Sequence, residues 1–188
     1  MNMKMNPSHS SMFMTLALSV AAVVACSGSI GNQTDQANKL VTEGNAAVQE
    51  AQKFVAVAEE KKEQMLQTKI SEIEEARTLA KEAIAAYDKA EDKCKEAAKK
   101  YEEASKLRIN NKFKEYLALK VKEYNKRAEV VETAKGTPQA LIDSEDQESF
   151  TTKAEANNEK VDALGKEAEE LARQSDKLEK DNPDIFES

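Results

Sequence analysis

Residues 76–104 read ARTLAKEAIAAYDKAEDKCKEAAKKYEEA. Ala76, Ala80, Ala83, Tyr87, Ala90, Cys94, Ala97, Tyr101 and Ala104 alternate spacings of four and three, which places all nine on one stripe of a helix. Ala occupies one heptad position five times running, at 76, 83, 90, 97 and 104. Small side chains there let a neighbouring helix come close, because interaxial distance follows side-chain size. Glu91 and Lys95, Glu96 and Lys100, and Glu102 and Lys106 are acid-first pairs four apart and form a solvated outer face.

The same period extends in both directions. Upstream, Ala37, Val41, Gly44, Val48, Ala51, Val55 and Ala58 keep it, and the pattern runs on through Lys62 to Met65. The two series are out of phase by four residues, which predicts a stutter or a break near Thr68–Ser71. Ser71 with Glu74 has the spacing of a capping box and favours the break. Downstream come Phe113, Leu117, Val121, Tyr124, Ala128 and Val131, with Asn110-Asn111 as a candidate boundary. Gly136-Thr137-Pro138 is the clearest interruption: Gly closes helices, Thr caps them and Pro suits a first turn. Ser144 with Gln147 has a second capping-box spacing. The final stripe is the most regular of all: Phe150, Ala154, Asn157, Val161, Leu164, Ala168, Leu171, Ser175 and Leu178, with Asn157 a polar interruption that can specify register. Pro183 ends it, and Ile185 and Phe186 are placed to fold back on the bundle. The expectation is an all-α chain of three to four long helices over 34–182, with a tail at 183–188. It forms either an antiparallel helical bundle or a long coiled-coil hairpin with residues 34–108 as one arm.

Composition agrees. Charged residues make up 34% of the 188 and aromatics 5%, with no Trp, five Gly and three Pro, the profile of long helices. The formal charge is −7. Such an acidic chain, read as lacking a basic cluster, argues against nucleic-acid binding and against a polybasic membrane patch.

The first 35 residues differ in kind. Lys4 precedes an apolar run of 14 residues, Met12–Ala25, too short to span a bilayer comfortably and suited to a signal peptide. It ends in Val23-Val24-Ala25-Cys26, followed by Ser27-Gly28-Ser29. This segment resembles the lipobox of bacterial lipoproteins. The resemblance implies a signal peptide at 1–25, cleavage before Cys26, fatty acylation of Cys26, and a short tether over 26–33. Ser27 in place of Asp implies the outer membrane, with the protein facing the periplasm or the cell surface. Separately, residues 90–104 and Tyr124–Glu129 are similar in Ala/Tyr spacing to tetratricopeptide-type hairpins and to microtubule-interacting-and-trafficking domains, which implies peptide binding between helices. The Trp, Gly and Pro marks of a tetratricopeptide unit are missing.

Catalytic chemistry finds little material. The only histidine, His9, lies before Cys26, which leaves the mature chain without the commonest general base and metal ligand. Cys94 sits on the Ala/Tyr stripe and reads as a buried structural thiol. The runs Glu72, Glu74, Glu75 and Asp143, Glu145, Asp146 fit neither a calcium loop nor a di-iron site. No catalytic, cofactor or metal residue is expected. The functional expectation is a non-enzymatic helical lipoprotein of the bacterial cell envelope, bound to the membrane through Cys26. A protein partner, or a second copy, would engage the heptad faces. The alternative is a periplasmic chaperone-like or peptide-binding module.

Overall fold

The computed structural model describes residues 29–186. The signal segment and Cys26 lie outside the described residues. The elements are α1 (Ser29–Gln67), a 3₁₀ turn (Ile70–Glu72), α2 (Ile73–Ser105), α3 (Asn111–Ala134), α4 (Gly136–Asp143), α5 (Gln147–Lys180) and a closing turn α6 (Pro183–Phe186). The fold is an all-α antiparallel bundle. The two-armed hairpin is excluded, because α1 turns back at residues 68–72 and packs along α2. α1 takes in Ser29–Gln33, which the sequence reading placed in the tether.

The α1–α2 seam follows the heptads. All nine stripe residues of α2 are buried, as are Ala37, Gly44, Val48, Ala51, Val55, Ala58 and Met65 of α1. Small residues set a close approach. A Cβ added to Gly44 would lie 3.0 Å from Cε1 of Tyr101. The Tyr101 hydroxyl donates to Oδ1 of Asn45 at 2.6 Å, and that of Tyr87 donates to Glu59. Ion pairs Glu43–Lys100 (2.6 Å), Glu50–Lys93 (2.7 Å) and Lys61–Glu82 (2.8 Å) run in opposite order along the two helices and mark the antiparallel register.

α1, α2 and α3 share one core, layered along the axis. A layer near the start of α1 holds Tyr101, Phe113, Leu117, Tyr124 and Phe186. A middle layer holds Val55, Tyr87 and Val131. A far layer holds Met65, Leu141 and Phe150. α5 packs on α3 and α4 along its length and reaches the far layer shared with α1 and α2 through Phe150 and Ala154 near its start. Its stripe is therefore half spent: four residues are buried, Phe150, Ala154, Ala168 and Ser175, against eleven on α2. The most regular heptad pattern belongs to the most peripheral long helix.

The helix ends correct three expectations. α2 starts with Glu72 at its N-cap and no side-chain cap, so the Ser71/Glu74 box is not formed. The break is made by the 3₁₀ turn instead. α5 is capped by Asp146, which accepts from the Ser149 N–H at 2.8 Å, not by Ser144. Thr137 caps nothing. Lys135 has helical φ and ψ, and α3 and α4 meet there as one broken helix. Pro138 lacks the N–H that would reach Ala134. The break is filled from α5: Nδ2 of Asn157 donates to the Thr137 hydroxyl, which donates to Oδ1 of Asn158, both at 3.1 Å. A Cβ on Gly136 would meet Oδ1 of Asn157 at 2.2 Å, so any larger residue there would push the Asn157 side chain off its place over the break. Asn157 thus fixes where α5 lies, as a polar seam residue does. Asn110 does cap α3, accepting from the Lys112 N–H at 2.7 Å.

Candidate functional site

Three places in the bundle carry chemistry beyond apolar packing. The first is internal. Glu123 of α3 is fully buried and accepts from Lys120 Nζ at 2.6 Å and Arg127 Nε at 2.8 Å. Both cations also lie over the ring of Tyr124, Lys120 Nζ at 5.1 Å and Arg127 Cζ at 5.9 Å from its centroid. Tyr124 in turn packs on Tyr101 with centroids 5.5 Å apart. Burial pushes the phenols of Tyr101 and Tyr124 well above their ordinary range, with the Glu123 charge adding to the effect at both. They remain neutral at any ordinary pH. The group is self-satisfied and has no opening for a substrate, so it is a core device.

Sequence reasoning missed Lys120 and Glu123, because each lies beside the α3 stripe instead of on it. A signal was present: Lys120, Glu123 and Arg127 are spaced three and four apart, as stripe residues are.

Cys94 lies where α1, α2 and α3 meet, against Ala51 and Ala128. Burial pushes its thiol up to about 11, which Arg127 opposes and Glu91 and Glu123 reinforce. A thiol that stays protonated and covered is a poor nucleophile. In the folded protein Cys94 is expected to resist a disulfide-exchange reagent such as dithionitrobenzoate for hours at pH 8. It should react within minutes once denaturant unfolds the bundle. Rapid labelling of the native protein would contradict the buried placement.

A second ionic group spans α2 and α3. Nζ of Lys135 lies 2.8 Å from Glu91 and 2.9 Å from Asp88, and pairs also with Glu132. Burial works against the Glu91 carboxylate, but hydrogen bonding with the Lys135 and Lys95 ammonium groups more than offsets this and holds it at about 2. A depressed carboxyl contributes stability above its unfolded value, near 4.5, and that contribution is lost as pH falls through the folded one. Melting temperature is therefore expected to drop between pH 4.5 and pH 2. Lys135→Met should flatten that slope in circular-dichroism melts.

The second place is the far end of the bundle, where α1 turns into α2 and α4 into α5. A cleft of about 230 Å³ opens there, lined by Ile73, Arg77, Leu141, Ser144, Asp146 and Phe150. Its floor is apolar, and Ile73 is one of the exposed large hydrophobic residues. Arg77 donates to Glu74 at 2.7 Å, while its Nε is buried with no partner. The cleft has room for one large side chain.

The third place is the opposite end. The α2–α3 connection and the first turn of α3 read KLRINNKFK from Lys106 to Lys114. This segment carries Lys106, Arg108, Lys112 and Lys114 and no acid. It is a short basic run in an acidic chain, with Glu102, Glu103 and Glu115 on its flanks. The connection is tied to α1: the Arg108 backbone N–H donates to Oε1 of Gln33 at 2.6 Å.

Cys26 lies outside the described residues. The heptad faces of α1, α2 and α3 are consumed inside the bundle, which leaves the half-buried Leu164, Leu171 and Leu178 of α5. Among the described residues no cluster of His, Cys, Asp and Glu has metal-holding geometry, and no helix is long and apolar enough to cross a membrane. No protein-family model matches the chain, no curated protein matches it in sequence, and no solved structure matches it in fold.

Proposed function

We propose that this chain is a non-enzymatic lipoprotein of the bacterial cell envelope, held in a membrane by acylated Cys26 and presenting its bundle to a protein partner. The observation that carries the reading is the order Val23-Val24-Ala25-Cys26, then Ser27 and Gly28, then the first residue of α1, Ser29. An acyl group at Cys26 would sit three residues from a helix of 39 residues. Such a helix is about 58 Å long at 1.5 Å per residue, so the bundle would hold its far end well clear of the lipid. The absence of histidine after residue 9 supports the non-enzymatic part. The Ser27 position supports the outer membrane.

The test is the intact mass of membrane-extracted protein from a bacterial host, beside a Cys26→Ala version. The wild type is expected to begin at Cys26, to carry acyl mass and to partition with membranes. The variant is expected to lose both the mass and the membrane fraction. An unacylated, soluble wild type would overturn the anchor.

A second reading, binding of extended peptides, has the far-end cleft in its favour, since the cleft pairs an apolar floor with Arg77 and room for a single side chain. It would show as suppressed aggregation of an unfolded client, lost on Ile73→Glu.

A further inference from the structure

The two ends of the bundle differ in charge, and the difference follows the direction of α1. The far end carries Glu72, Glu145 and Asp146 in its turns beside Lys69, with Glu74, Glu75, Asp143 and Glu148 in the adjoining helix ends. The near end, from which α1 departs, carries the Lys106–Lys114 segment, the connection with the first turn of α3, flanked by Glu102, Glu103 and Glu115. We propose that this connection rests on the anionic phospholipid headgroups of the membrane that holds Cys26, so that the bundle meets the bilayer at two points. The proposal depends on the lipid-anchor reading.

Chain length places the loop. Gln33, which bonds the Arg108 backbone, is seven residues after Cys26, and α1 is helical from Ser29. Three residues at full extension and four at the helical rise span no more than about 17 Å. An acylated Cys26 therefore keeps the Gln33 backbone within that distance of the lipid surface, and the Arg108 backbone one glutamine side chain and a hydrogen bond further on. The surface potential decays over about 10 Å at 0.1 M salt, and flexible Lys and Arg stems shorten the remaining gap.

The local chemistry suits headgroups. Lys106, Arg108 and Lys112 are exposed. Lys106 pairs with Glu102 and Lys112 with Glu115, both at 2.8 Å or less, but these are surface pairs that dissociate at little cost. Arg108 and Lys114 enter no salt bridge among the described residues. Between the charges, Leu107 and Ile109 turn inward onto the core, so the loop offers cations on a fixed backbone and no apolar wedge. That pattern fits adsorption at the headgroup level, not insertion. Asp181 and Asp184 at the same end hold the net field down, so the contact orients the bundle more than it anchors it.

The test uses the full chain, purified from membranes and reconstituted into vesicles of phosphatidylcholine alone or with phosphatidylglycerol. A fluorophore is attached at Asn111→Cys, with Cys94 covered by the fold, and is quenched by headgroup-labelled lipid. Mass spectrometry on the same sample reads the acyl group. The equilibrium constant for the docked orientation, read from the quenching, is expected to rise about five-fold for each basic residue engaged when anionic lipid is present. It should fall away at 1 M salt, where screening acts over about 3 Å. It should also be lost in K106E/R108E/K112E/K114E, with helicity checked by circular dichroism. The salt titration on unmutated charges stands if that variant misfolds. Acylated protein whose quenching ignores lipid composition and salt would overturn the loop contact while leaving the anchor intact. Protein without acyl mass would overturn both.

Discussion

Glu123→Ala is expected to cost about 3 kcal/mol of unfolding free energy, read from guanidinium titration by circular dichroism. The carboxylate has no solvent exposure, and it is the acceptor for both Lys120 and Arg127. Removing it leaves two cations of like sign facing one another over the Tyr124 ring. Breaking a buried pair in this way typically costs 3–5 kcal/mol, roughly. The low end applies because the side chains of Lys120 and Arg127 keep 11% and 17% exposure and can turn partly toward water. The complementary experiment replaces the whole group, Lys120→Met, Glu123→Leu and Arg127→Met. That triple variant is expected to be as stable as the parent or more so, because no desolvated charge remains. If the single variant were neutral, Glu123 would not be the hub of the group. If the triple were as damaged as the single, the ionic contacts would contribute net stability of their own.

Tyr101→Ala is the second large effect, expected at about 3–5 kcal/mol by analogy with other buried aromatic truncations. Its ring is 1% exposed and fills the space opposite Gly44, against Tyr124. On the α1 side the hole faces Gly44, which has no side chain to fill it, and Tyr124 on the other side is a rigid ring. Tyr101→Phe should cost only about 1 kcal/mol, the net value of one hydrogen bond, here the bond to Asn45. A ratio near unity between the two variants would mean that the hydroxyl, not the ring, holds the seam. Gly44→Ala probes the same contact from the other side. Its new methyl would meet Cε1 at 3.0 Å, so α1 must shift outward or the ring must turn, and the protein should lose stability.

These residues also show how far a single sequence reaches. Gly44 and Tyr101 were both legible as stripe positions, one small and one large, and the structure joins them as partners. Every apolar member of the α2 series is buried because both flanks of that helix are covered, one by α1 and the other by α3. On α5 the same four-three alternation is cleaner, yet Val161, Leu164, Leu171 and Leu178 are only half-buried. Heptad spacing specifies that a face is apolar. It does not specify how many neighbours that face meets. Glu123 is the converse case: a charged residue beside the stripe becomes buried when adjoining elements cover the helix on that side. Capping followed the same logic. Ser71, Ser144 and Thr137 all had suitable spacing, and the caps actually used were Asn110 and Asp146. A cap forms where the chain must turn to keep its packing, and local spacing alone does not say where that is.

Taken residue by residue, the chain by itself determined the apolar faces of the helices and the interruption at 136, and marked residues near 70 and 110 as places where a helix could break or run on. Those follow from local periodicity, which repeats over many turns and is set by backbone geometry. Only the tertiary structure decided that four long helices close into a bundle and not two into a hairpin. It also decided that α5 is peripheral, that Lys120, Glu123 and Arg127 form one buried group, and that the basic connection lies at the same end as the start of α1. Each of these depends on which surfaces meet across long sequence separations. Many pairings of amphipathic helices bury similar apolar area, and specific contacts such as Gly136 under Asn157 separate them.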